Sequence, residues 1–392
     1  MNDSRLHTPE GVRDIYGKEC KNKHFLINTM EETVKRYGYS FIETPSFEFI
    51  DIFGSEVGTT PSKELYKFFD REGNTLALRP DMTPSIARAA SKFFDPDIKP
   101  VRLSYYGNVF VNNNSYQGRL KESTQLGCEF MGDNSIDADS EIIALAVNNL
   151  LKVGLADFQI SIGHVDIFQG LMQAAKLDEQ SENRVRALIT NKNFYGVEEF
   201  LESKDISADL LEIFTMLGKM YNCPNEWQEF LDKAKNYPQI YNALKYLEDL
   251  YDILEIYGVS KYISFELGMV SPYQYYTGIL FGGYTYGSGE PIVRGGRYDD
   301  LLSYYGKEAP AIGFAIYIDQ LLMAMERQKI NIFQDENPEV LLYTSNKLKE
   351  AVATTNEMRN AGKDVTMVRV SSKEAAVKIQ QDYPETCFTI LD

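Results

Sequence analysis

Read as a strand, Lys121–Met131 (KESTQLGCEFM) puts Ser123, Gln125, Gly127 and Glu129 on one face and Thr124, Leu126, Cys128 and Phe130 on the other. Side chains alternate across a pleated strand, so this split follows from the chain alone. The apolar face belongs against a core. The other face combines an amide, a carboxylate and a glycine that leaves room for close approach. Two readings of it stay open: a half-exposed antiparallel strand with one wet side, or the floor under a small polar ligand. Strand-like sequence over 101–111 predicts that 121–131 is the second arm of a hairpin.

At 392 residues the chain is too long for one ordinary core, and two or three domains are expected. Helical spacing of Phe25, Met30, Val34 and Tyr37 predicts a helix over 20–38 that stops at Gly38. Ser40–Ile50 reads as a strand interrupted at Pro45, Thr75–Leu78 as a short strand, and Ser85–Phe94 as a helix. A helix over Ser140–Val153 and a strand over Phe158–Ile162 follow. Residues 171–257, which carry the sole Trp227, read as a helical insertion. Ile312–Met325 reads as a buried helix and 331–339 as a linker. The tail alternates strand Val340–Tyr343, helix Lys347–Asn360, strand Val365–Val370, helix Lys373–Gln380 and strand Cys387–Leu391, the pattern of a small parallel sheet.

Composition excludes several classes. No run approaches the ~20 apolar residues that span a bilayer, and the opening MNDSRLHTPEG has no hydrophobic signal region. Cys20, Cys128, Cys223 and Cys387 stand alone without a CxxC, and only His7, His24 and His164 are present. That is neither a zinc framework nor a disulfide pattern, and it predicts reduced thiols in a cytosol. A formal charge of −17 argues against a broad nucleic-acid surface. No Walker, HExxH or GxSxG motif occurs, nor does GGYTYGSG have dinucleotide-loop spacing. Neither a metal nor a cofactor is implied.

Asp81, after Arg79-Pro80 and two residues before Thr83, is either a cap for the following helix or, if it converges with Glu129, half of a carboxylate pair. Such a pair, with the Gln125 carbonyl, would hold an ammonium group. Tyr275 and Tyr276 in SPYQYYTGILFGGYTYG offer phenolic hydroxyls near glycines, or strand core. His164 in SIGHVD has no partner in the sequence and reads as structural.

Several segments, in order, resemble the histidyl-tRNA synthetases of class II. They are TPEGVRD (8–14), GYSFIETPSF (38–47, similar to motif 1), LRPDMTPSIAR (78–88), VRLSYYGNVFVNNNSYQGRLKESTQLGCEFMG (101–132, similar to motif 2), QYYTG (274–278), RGGRYDDLL (294–302) and AIGFAIYIDQLL (311–322, similar to motif 3). The resemblance covers about the first 325 residues. It implies an α+β fold: an antiparallel sheet flanked by helices over 1–170 and 258–330, the helical insertion at 171–257, and a small α/β C-terminal domain at 338–392 like a shortened anticodon-binding domain. It also implies a histidine pocket of Asp81, Thr83, Gln125, Glu129, Tyr275 and Tyr276, and a homodimer through the motif 1 region.

Where that family carries an arginine on the ATP α-phosphate, this chain has Val111. A guanidinium can make two charge-assisted bonds to phosphate at once; valine can make none. Further family arginines are replaced by Ser271 and Gln320, an acidic residue by Gln274 and a motif 3 glycine by Tyr317, whereas Arg119 remains. A retained amino-acid pocket beside lost activation positions resembles the ATP phosphoribosyltransferase regulatory subunits. That resemblance implies a non-catalytic partner of the short-form catalytic subunit in histidine biosynthesis. It would activate that subunit within a hetero-octamer and mediate feedback inhibition by histidine, without tRNA. The tail supports the last point: from 335 to 392 seven Lys/Arg face ten Asp/Glu. The alternatives are a divergent histidyl-tRNA synthetase, an amino-acid ligase with another acceptor, and a structural remnant.

Overall fold

A computed structural model describes residues 6–54, 60–95, 99–113, 120–204, 206–270, 275–332, 339–383 and 386–391. The chain forms two compact units, Met1–Ile332 and Phe333–Asp392. In chain order the first unit contains α1 (Gly17–Arg36), β1 (Ser40–Phe41), β2 (Phe47–Phe49), β3 (Lys67–Phe69), β4 (Thr75–Leu78), α2 (Thr83–Phe93), β5 (Val101–Phe110), β6 (Glu122–Met131), α3 (Ile136–Lys152) and β7 (Phe158–His164). A helical stretch follows: α4 (Val165–Ala175), α5 (Glu179–Thr190), α6 (Phe194–Glu202), α7 (Ala208–Met216), the two-residue strand β8 (Met220–Tyr221), α8 (Gln228–Ala234) and α9 (Pro238–Ile256). Then come β9 (Ile263–Glu266), β10 (Ile279–Thr285), β11 (Val293–Arg297), β12 (Ala311–Tyr317) and α10 (Ile318–Arg327).

Among the described residues nine strands make one mixed sheet in the order β1-β5-β6-β12-β11-β10-β7-β9-β8. Its centre is antiparallel; β1 joins β5 and β9 joins β7 in parallel. A separate antiparallel sheet runs β2-β4-β3. The long hairpin pairs Val101 with Met131 through to Phe110 with Glu122. The architecture is α+β, as expected.

The apolar face of β6 (Leu126, Cys128, Phe130) meets Leu26, Met30 and Val34 of α1 and Ile142, Ile143 and Ala146 of α3 in one continuous core. Each of these buried aliphatic side chains contributes roughly 1.5–3 kcal/mol over its exposed state. Both ends of α1 use glycine where a side chain would be strained, Gly17 at φ 58° before its second residue and Gly38 at φ 84° just past its end. Helices α5 to α9 pack onto the same core through Leu188, Val197, Leu210, Phe230 and Leu244, and Trp227 is fully enclosed there. Edge strand β8 ties this stretch into the main sheet beside β9.

Three expectations change. Ile312–Met325 is not one helix: Ala311–Tyr317 is a strand and the helix begins at Ile318. The run is almost uniformly apolar, and its alternation is one of size, with Ile312, Phe314 and Ile316 in the core and Ala311, Gly313 and Ala315 on the other face, which a reading of polarity does not register. Ser40–Ile50 splits into β1 and β2, which join different sheets on either side of Pro45. The polar face of β6 is not wet: Gln125 and Glu129 are 3% and 1% exposed.

The second unit holds β13 (Glu339–Tyr343), α11 (Leu348–Asn360), β14 (Val365–Arg369), α12 (Lys373–Asp382) and β15 (Phe388–Leu391). Its strands form a parallel sheet in the order β14-β13-β15. Central β13 buries Leu341 with Ala351 and Val365 on one side, and Leu342 with Val370 and Ala376 on the other. Ser372 caps α12 by accepting from the Ala375 N–H at 3.3 Å.

Candidate functional site

The register of the central strands aligns residues from separate segments into rungs. On one rung Leu103, Glu129, Gly313, Gly296 and Leu280 lie side by side; on the next stand Tyr105, Gly127, Ala315, Arg294 and Gly282. Small residues therefore make a floor with an acid near one end and a base farther along. The glycines are required by close approach rather than by their dihedrals. A Cβ on Gly313 would stand 1.6 Å from Oε2 of Glu129, and one on Gly127 would stand 2.4 Å from the Tyr105 hydroxyl.

Over this floor a small cavity of about 20 Å³ is lined by Asp81, Thr83, Glu129, Tyr275, Tyr276, Arg294, Tyr298 and Tyr317, among others. That space suits roughly one water or a group of similar size. It adjoins a larger cavity of about 280 Å³, which shares Tyr276, Arg294 and Gly295 and is also lined by Lys192, Glu266, Met269 and Tyr284.

Glu129 is held by hydroxyls. Thr83 Oγ1 donates to its Oε1 at 2.9 Å, Tyr105 donates to the same oxygen at 3.2 Å, and Tyr298 donates to Oε2. Burial nevertheless pushes the Glu129 carboxyl up to about 8, since these neutral donors only partly replace water and the nearby Asp81 charge adds to the rise. Asp81 is likewise pushed up by burial, to about 6, against stabilising bonds from the backbone N–H groups of Met82 and Thr83 and from the Tyr275 hydroxyl. The Tyr105 and Tyr298 hydroxyls are held well above their ordinary range by burial, with Glu129 adding to it, so both stay protonated donors. Tyr275 stacks at a tilt on Tyr276, centroids 4.7 Å apart, and meets Tyr298 edge-on at 5.9 Å.

Asp81 lines the cavity with Glu129 and is not the N-cap of α2, a position that Met82 takes without a side-chain cap; it accepts from the adjacent Met82 N–H at 2.8 Å. Thr83 begins α2, with Pro84 in the first turn where its missing N–H costs nothing. Asp81, Thr83, Glu129, Tyr275 and Tyr276 are thus gathered at one place. Gln125 shares the β6 face but does not line this cavity; its Oε1 is buried with no partner among the described residues. Val111 stands at the mouth of the hairpin, half-buried, its N–H donating to Lys121 O at 2.9 Å. Gln320 is half-buried on α10, its Oε1 also without a partner among the described residues. Ser271, Gln274 and Arg119 lie outside the described residues. His164 is structural: its Nδ1 accepts from Asp166 N–H at 3.2 Å and caps α4, while burial holds its pKa below the usual value.

Sequence reasoning passed over Tyr105, Tyr298 and Arg294. The period-two parity of β11 puts Arg294 and Gly296 on one face, which was available. That this face abuts Glu129 depends on β12 lying between β6 and β11, a non-local fact.

The histidyl-tRNA synthetase family matches residues 11–321. The ATP phosphoribosyltransferase regulatory subunit of Acetivibrio thermocellus is 39% identical over 365 residues, 92% of this chain and 86% of that protein. A crystal structure described as an ATP phosphoribosyltransferase regulatory subunit/histidyl-tRNA synthetase, from Bacillus halodurans, superposes with a TM-score of 0.83 at 30% identity over 98% of this chain and 97% of that one. Histidyl-tRNA synthetase from Nostoc shares the fold, with a TM-score of 0.78 at 20% identity over 97% and 89% of the two chains. These likenesses, on a sheet that carries the same fold, place the chain in the histidyl-tRNA synthetase family, among the ATP phosphoribosyltransferase regulatory subunits.

Proposed function

We propose that this chain is a non-catalytic subunit that binds L-histidine in the acidic cavity and thereby controls a short-form ATP phosphoribosyltransferase catalytic subunit, activating it when histidine is scarce. The observation that carries the reading is the buried pair Asp81 and Glu129, raised by burial and served chiefly by hydroxyls and backbone N–H groups. A buried carboxylate without a cation is costly, and a ligand cation offsets that cost. The α-ammonium of histidine meets Asp81 and Glu129, with the Gln125 amide beyond Gly127, and the imidazole lies by Tyr275 and Tyr276. The adjoining cavity gives the ligand the volume that the acidic one lacks.

Adenylation is not supported. Removing one preorganised group that stabilises developing charge costs ~2.7–4 kcal/mol, and Val111, Ser271 and Gln320 stand at three such positions. The losses need not add, yet together they leave activation negligible. Control of the partner is a population shift: histidine acts only through its different affinity for two states of the assembly. Exposed Phe47, Phe49, Phe69 and Phe93, near the motif 1 region, supply apolar area for a homodimer within that assembly.

The test is phosphoribosyltransferase turnover by the short-form catalytic subunit, with and without this chain, across a histidine titration. Activation that histidine suppresses is expected, and Glu129→Ala should remove the suppression. Unchanged inhibition in that variant would put the sensing site elsewhere. Histidine-dependent ATP–pyrophosphate exchange would instead establish a working synthetase.

A further inference from the structure

We infer that Arg294 anchors the carboxylate of the amino-acid ligand and makes the site selective for an intact α-amino acid over its carboxylate-free analogues. The inference rests on the histidine-binding reading above and assigns its missing half. An α-amino acid is a zwitterion, and a site that recognises it needs both signs at close range. Asp81 and Glu129 answer the ammonium. Among the described residues lining the acidic cavity, Arg294 is the sole base.

Its position fits the task. Arg294 pairs in register with Ala315 of β12 and Gly282 of β10, on the strand face that carries Glu129 one rung away. It lines both the acidic cavity and the larger adjoining one, so it stands where the two meet. A ligand with its ammonium at Asp81 and Glu129, too large for about 20 Å³, must extend past it. Arg294 also pairs with Glu290, four residues back, at 3.6 Å. A guanidinium offers a carboxylate a bidentate fork. The remaining base of the larger cavity, Lys192, is bound to Glu266 at 2.8 Å, and Glu266 is 8% exposed. Arg294, which borders both cavities, is the base placed to meet the carboxylate.

The test compares L-histidine with L-histidinol, which keeps the ammonium and imidazole but carries an alcohol in place of the carboxylate, by calorimetric titration into the full chain. The wild-type chain should bind histidine more tightly than histidinol. Arg294→Gln should weaken histidine by about tenfold or more, the scale of losing a charge-assisted bond, and leave histidinol within about threefold, so that the preference collapses. Arg294→Lys, which keeps the charge but not the fork, should fall between and guards against a local folding defect in the glutamine variant. Equal weakening of both ligands, or undiminished histidine binding in Arg294→Gln, overturns the assignment while the histidine reading stands. Failure of the wild-type chain to bind either compound overturns both.

Discussion

Asp139 on helix α3 and Glu129 on the main sheet are both buried acids, and they differ in what neutralises them. Asp139, 0% exposed on α3, meets Arg297 Nε at 2.9 Å, and the Tyr246 hydroxyl donates to its other oxygen at 2.6 Å. Arg297 is completed by Asp133 O at 3.2 Å and Asp299 at 3.1 Å. Burial works against the Arg297 charge, yet Asp139 and Asp299 outweigh it and hold the guanidinium above its ordinary value. This cluster ties the end of β11 to α3 and is complete within the chain. Glu129, on the opposite face, has three hydroxyls instead. A closed ion pair holds a structure; an acid held by neutral donors keeps an unspent affinity for a cation.

The largest expected effect tests the closed side. Asp139→Ala should cost about 3–5 kcal/mol of stability by stranding Arg297, read as a lower urea midpoint with unchanged slope. A loss under about 1 kcal/mol, the scale of an exposed pair, would show that the pair is not structural. The matching change on the open side should act in the other direction. The folded chain holds the Glu129 proton more tightly than the unfolded chain, whose ordinary value is 4.5. Its contribution is therefore fully present below about 4.5 and is lost as pH rises through about 8. Ligand-free Glu129→Gln should flatten this decline by a few kcal/mol, since each tenfold gain in proton affinity on folding is worth about 1.4 kcal/mol. That variant should be at least as stable as wild type at pH 8. A Glu129→Gln chain that unfolds more easily there would place the carboxylate among the structural groups.

A smaller effect falls on the ligand. Binding an ammonium requires the ionised acid, so with Glu129 at about 8 histidine affinity should rise on the order of fiftyfold from pH 6 to pH 8 with release of a proton. Calorimetry in two buffers of different ionisation heat counts that proton apart from the imidazole's own titration near about 6.5. No proton release would mean that Glu129 is already ionised or is not used. Smallest of all, Tyr298→Phe removes one donor from Glu129 and should weaken histidine by several-fold, about 1 kcal/mol. Unaltered affinity would mean that Thr83 and Tyr105 suffice.

How far the chain could be read follows the same contrast. The alternation of β6 was legible because it is local and strictly period two, and it put Gln125 and Glu129 on one face correctly. The C-terminal alternation of strands and helices was legible for the same reason. Strand β12 was not, since AIGFAIY is apolar throughout and alternates in size rather than in polarity. Nor were two of the partners of Glu129: Tyr105 and Tyr298 reach it from β5 and from beyond β11, through pairings that no local pattern reports. The Arg297–Asp139 pair, 158 residues apart in sequence, was hidden by that same distance.

Gly313 gives the site a further property. One of its two α-hydrogens stands where a side chain would begin, facing the carboxylate on which the proposed ligand binding depends, and the smallest possible enlargement would place a methyl carbon 1.6 Å from an oxygen of Glu129. The acid and the absent side chain are thus two halves of one specification, written 184 positions apart. A chain descended from this one could keep all its polar residues and still go blind to its ligand through a single-carbon change on a neighbouring strand. Surveys that score such sites by their charged and polar residues alone would count that chain as competent.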